Sequence, residues 1–176
     1  QYPSDTGGIS NSITLNGGIL HNTGNAPLSI PLTANGGTLE TDSGKYLRLW
    51  TPIQGSGTVT KTGLGTLDLV SEGSTASIDW TLDEGTMSII GDAAGTGSVT
   101  QHPGSDLILA GASTLSHLES MPSGIFRGAL DMEGFELTLA PDGAGPVAEL
   151  PELFGSGTLR IDGDRGYEIA EVGGNF

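Results

Sequence analysis

The chain has 176 residues, 30 of them glycine, no cysteine and a net charge of −15. Glycine costs a helix about 1 kcal/mol per residue against alanine, which argues against an all-helical fold, and the acid excess repels phosphate backbones, which argues against nucleic acid as a partner. No disulfide can brace the fold, and no apolar run approaches the ~18 residues of a transmembrane helix. Residues 1–67 hold three acids and three bases, so all the net charge falls on 68–176. A chain opening at Gln1 is expected to be a processed form or a fragment.

Along the chain, apolar residues alternate with polar ones in short bursts. Ile13 and Leu15 flank Thr14; Leu28, Ile30 and Leu32 skip Ser29 and Pro31; Leu47 and Leu49 flank Arg48. Leu67 and Leu69 flank Asp68, then Ile78, Trp80 and Leu82 alternate with Asp79 and Thr81, and Met87 and Ile89 flank Ser88. Leu107 and Leu109 keep the form. Period-two alternation places these side chains on one face of a strand, and the glycine, asparagine and aspartate at the ends suit tight turns.

Residues 111–128 break the alternation: Leu115, Leu118 and Met121 recur every three after Ser113, which predicts a helical turn or a loop excursion. Leu137 and Leu139 resume the pattern. Residues 140–154, with three prolines, predict an irregular connection before Leu159 and Ile161 close the series.

A longer period overlies these strands. Gly37, Gly57, Gly97 and Gly157 each precede Ser or Thr and then an apolar residue, at separations of 20, 40 and 60. Gly65-Thr66-Leu67 recurs as Gly85-Thr86-Met87. A fixed period near 20 with short strands suits a parallel β-solenoid better than a sandwich or barrel. About nine coils of 19–20 residues, stacked at ~4.8 Å, would make a single solenoid domain over 1–176, a rod roughly 40 Å long. Coils cannot stand alone, since each buries its aliphatics against its neighbours.

Gly57, Thr60-Lys61-Thr62-Gly63, Gly65-Thr66-Leu67 and Gly85-Thr86, with "ITLNGGIL" (13–20) and "PLTANGGTLET" (31–41), carry a resemblance to the autotransporter-associated β-strand repeat of bacterial passenger domains. The resemblance covers about 9–100 and weakens beyond, where "DLILAG" and "GSGTLRI" echo it. It implies a right-handed parallel β-helix, exported to the cell surface or the extracellular space, serving as adhesin, matrix component or stalk.

Few residues suggest chemistry. His21, His102 and His117 lie in unrelated contexts, and no G-x-S-x-G elbow occurs. Asp79, Asp83 and Glu84 lie close in sequence, but a glycosidase needs two carboxyls ~5–9.5 Å apart across a groove, and a solvated acidic edge is the simpler reading. Asp162, Asp164 and Glu168 in "DGDRGYE" offer oxygen ligands to Ca²⁺, although the calcium loop patterns are incomplete and an Asp-Gly turn competes. Tyr46 and Trp50 have outward parity and could stack on sugar rings or on a partner; Trp80 has inward parity. The expectation is therefore a non-enzymatic surface solenoid that self-assembles end to end into a fibre or matrix. An adhesin fragment binding carbohydrate and a polysaccharide-degrading or tailspike-like β-helix are the alternatives.

Overall fold

Side chains that alternate between aliphatic and hydroxyl or charged groups settle into strands that bury one face and wet the other. The computed structural model describes residues 12–120, 129–139, 148–162 and 167–168, and strands are the only regular elements among them. The first coil holds β1 (Ile13–Leu15), β2 (Ile19–Asn22) and β3 (Asn25–Leu28). The second holds β4 (Leu32–Ala34), β5 (Gly37–Thr41) and β6 (Tyr46–Leu49), and the third β7 (Ile53–Gln54), β8 (Ser56–Thr62) and β9 (Thr66–Leu69). Then come β10 (Ser77–Leu82) and β11 (Gly85–Gly91), and β12 (Ser98–Gln101) with the long β13 (Ser105–Leu115). The remainder are β14 (His117–Ser120), β15 (Ala129–Asp131), β16 (Glu136–Leu139), β17 (Ala148–Glu149), β18 (Glu152–Phe154), β19 (Thr158–Ile161) and β20 (Tyr167–Glu168).

Each strand pairs in parallel with the strand one coil away, which is the connectivity of a solenoid. A short sheet runs β1-β4-β7, a second β2-β5-β8-β10-β12-β14, and the longest β3-β6-β9-β11-β13-β15-β18. The early coils therefore have three strands. The end of β13 pairs with β16, and β16 with β19, adding a further limb to the longest sheet.

The interior is a stack of columns. Leu47, Leu67, Met87, Leu107, Leu130 and Leu153 face one another in register, and all are buried. Leu49, Leu69, Ile89 and Leu109 form the column beside it. On the second sheet Val59, Trp80, Val99 and Leu118 stack, and the Trp80 indole N–H donates to the Ala94 carbonyl at 2.9 Å.

Glycine is required where coils touch at corners. A Cβ on Gly97 would overlap the carbonyl oxygen of Ile78 directly beneath it. Gly85, at φ 72°, would set a Cβ 2.5 Å from the Gly63 carbonyl oxygen.

Two sequence expectations change. Among the described residues the solenoid makes about six turns, where nine were expected over the whole chain. The buried columns advance by twenty residues from Leu47 to Leu107 but by 23 at each of the next two steps, so later coils consume more chain. Residues 111–115 and 117–120 are strand, not an excursion: Ser113 lies within β13, and Leu115 and Leu118 are both buried because Ser116 turns a corner between them. Residues 121–128 and 140–147 lie outside the described residues, while 148–154 contribute β17 and β18 to the stack.

One inward position carries a charge that the alternation did not announce, that of Lys61. It occupies an inward position, in register with Leu39 on one side and Leu82 on the other, and is fully buried. Its ammonium turns into a corner and donates to the carbonyl oxygens of Thr62 (2.8 Å), Gly63 (2.6 Å) and Glu84 (3.1 Å). Burial draws its pKa down to about 8. The lysine of the Thr-Lys-Thr-Gly stretch is thus a corner brace between coils.

Candidate functional site

The longest sheet turns its other face to solvent, and the same register that aligns the core aligns outward side chains. One outer column runs Pro27, Arg48, Asp68, Ser88, Ile108, Asp131, Phe154. Beside it run Asn25, Tyr46, Thr66, Thr86, Asp106, Ala129 and Glu152. From Arg48 to Phe154 is five coil steps, ~24 Å.

At one end of this face β6 and the residue after it put Tyr46, Arg48 and Trp50 outward, as parity predicts for the two aromatics. The Arg48 guanidinium carbon lies 5.4 Å from the Tyr46 ring centroid and 5.7 Å from that of Trp50. Both distances are within cation–π range, where the cation meets the negative face of the ring. Arg48 Nε and Nη2 donate to Asp68 Oδ2 at 3.0 and 2.8 Å, one coil further on. Asp68 is largely covered, whereas Trp50 is 51% exposed. An aromatic–guanidinium–aromatic platform results, its central charge neutralised and its geometry fixed by a neighbouring coil.

Further along the face is a cleft of about 350 Å³ lined by Asp106, Leu107, Ile108, Ala129, Asp131 and Phe154. Burial raises the Asp106 carboxyl above its ordinary range. Asp131 Oδ1 accepts the Glu133 N–H at 3.1 Å, inside a turn that holds Glu133 at φ 47°. In register Asp106 faces Ala129 and Asp131 faces Ile108, so the two acids are diagonal neighbours on one sheet face. Both acids line the cleft from the same sheet face. This arrangement suits holding hydroxyl or ammonium groups, with Phe154 and Ile108 offering apolar contact.

The other sequence candidates are dispersed. Asp79 accepts from the Ser98 hydroxyl at 2.7 Å, and Asp83 pairs with His102 Nδ1 at 2.8 Å. Glu84 contributes its carbonyl to Lys61. Asp162 pairs with Arg160 at 2.8 Å, while Asp164 and the side chain of Glu168 lie outside the described residues, as does the side chain of His117. Arg48, Asp68, Asp106, Asp131 and Phe154 were not singled out from sequence. The twenty-residue step from Arg48 to Asp68 was the available signal.

Parallel coils with an aliphatic interior and an outer face carrying aromatic and acidic groups define a parallel β-solenoid. The chain is similar to the Adhesin BmaC autotransporter of Brucella suis biovar 1 (strain 1330), with 31% identity over 170 residues. That match covers 92% of this chain and 5% of the adhesin, so the chain spans a small part of its relative's length. No protein-family model matches the chain. No solved structure matches it either. Among the described residues no helix is long and apolar enough to cross a membrane.

Proposed function

We propose that this chain is a stretch of an extracellular, cell-surface β-solenoid that works in adhesion, and that the outer face of its longest sheet binds neutral or amine-bearing glycans. The platform of Tyr46, Arg48 and Trp50 carries this reading. Sugar C–H groups are weakly positive and stack on the negative faces of aromatic rings. Arg48 is already neutralised by Asp68, and Asp106, Asp131 and Glu152 line the rest of the face, so an anionic polysaccharide would be repelled. The similarity to an autotransporter adhesin supports export and surface display.

The test is a glycan array followed by titration calorimetry on the purified chain. Neutral or amino sugars should bind and uronic-acid polymers should not. Trp50→Ala should weaken binding by roughly tenfold, equivalent to about 1.4 kcal/mol, without lowering the melting temperature. Binding that Trp50→Ala leaves intact would refute the assignment.

A second reading, end-to-end assembly into a fibre, is favoured by one observation. Ile13, Leu20, Ala26 and Leu28 in the first coil are only partly buried, whereas Leu32, Leu39, Leu47 and Leu49, their register partners and equivalents in the second, are covered. A strand edge with incompletely covered aliphatics favours addition of another coil, whether from the same polypeptide or from a second copy.

A further inference from the structure

We propose that His21, Glu40 and Asp42 form a site for a divalent late first-row cation, Zn²⁺ above all, on the outer face of the second sheet. The site is separate from the glycan face and does not depend on it. The fold sets the three donors in place. His21 on β2 is the register partner of Glu40 on β5. Asp42 follows β5, and its backbone N–H is bonded to the Asn22 carbonyl at 3.1 Å, which holds it beside the same coil below.

His21 Nε2 lies 2.9 Å from Asp42 Oδ1 and 3.8 Å from Glu40 Oε1. One ligand atom from each residue lies within 4.8 Å of the others. Bonds of about 2.0–2.1 Å in a tetrahedral shell place ligand atoms ~3.3 Å apart, and the two measured separations bracket that value. Small rotations of exposed side chains would close the shell. One imidazole nitrogen and two carboxylate oxygens make a donor set suited to zinc, with a fourth position open to water or to a donor from another molecule. The side chains are 45%, 38% and 46% exposed, so the ion has free access.

His102 supplies an internal control. It meets one carboxylate, Asp83, at 2.8 Å, and no third ligand joins that pair among the described residues.

The experiment is calorimetric titration of the tag-free, chelator-treated chain with ZnCl₂ in a non-coordinating buffer, read together with the histidine Cε1–H resonances. Saturable binding of one ion per chain is expected, with the His21 resonance moving and that of His102 unmoved. His21→Ala and Asp42→Asn should each weaken binding by roughly tenfold or more, while His102→Ala should leave it unchanged. Because all three side chains are exposed, these variants should keep the wild-type circular dichroism. Non-saturable heats, an unmoved His21 resonance, or full affinity in His21→Ala would each overturn the proposal.

Discussion

Replacing Lys61 by methionine removes a charge from the solenoid interior while nearly keeping its volume. The ammonium donates to three carbonyl oxygens, those of Thr62, Gly63 and Glu84, and the side chain is fully buried. Hydrogen bonds from a charged donor contribute roughly 1.5–3 kcal/mol each, so about 5–9 kcal/mol of interaction disappears. Against this stands the cost of burying the ammonium. A pKa drawn from 10.5 to about 8 corresponds to roughly 3 kcal/mol at most, less where water screens the group. Lys61→Met should therefore destabilise the fold by about 2–6 kcal/mol, or some 5–20 °C in melting temperature for a chain of this size. The pH dependence has a definite sign. Between pH 8 and 10.5 the unfolded chain binds more protons at this site than the folded one, so wild-type stability at the site rises with pH and is lost as pH falls through 8. Denaturant titrations of both proteins across that window should show the gap between them widening with pH. A methionine variant as stable as wild type at pH 7, or a gap that stays flat, would refute the account of Lys61 as a buried, bonded brace.

Gly97→Ala should destabilise by several kcal/mol, about 3 or more, because the added carbon meets the Ile78 carbonyl and neither backbone can yield without parting two coils; wild-type melting would contradict the corner packing. The fibre reading predicts concentration-dependent association in sedimentation velocity and filaments in electron micrographs, suppressed by Leu20→Glu at the first coil's edge. Monomers throughout would leave adhesion without assembly.

The core was legible because a solenoid writes its register into the sequence as a period. Leu47, Leu67, Met87 and Leu107 are twenty residues apart and occupy one column. The glycines were a poorer ruler. Gly57 pairs with Ile78 and Gly97 packs against that same residue, but Gly37 pairs with Val59, two residues beyond Gly57. Corners vary in length while inward columns must stay aligned, so glycine spacing marks turns and aliphatic spacing marks register. The same variability hid the turn at Ser116. Leu115 and Leu118 look helical by spacing, yet each is inward on its own strand because parity restarts at the corner.

Lys61 shows a different limit. Its parity with Val59 is inward, but a charged side chain ordinarily belongs outside, and only the carbonyls gathered at the corner make burial tolerable. Those acceptors come from Thr62 and Gly63 next to it and from Glu84, a coil away, so no local pattern announces them.

The outer face follows the same logic. Arg48 and Asp68 stand one period apart along the chain, as do His21 and Glu40, and each pair meets only after the chain has wound once. Winding also fixes what faces solvent. Tyr46 and Arg48 alternate on β6 with Leu47 and Leu49, which are held in buried columns by their neighbours above and below. The core therefore orders the platform before any ligand arrives, and a ligand need not supply the entropy of arranging it. On the adhesion reading proposed above, a solenoid offers a preformed support wherever outward residues of successive coils complement each other.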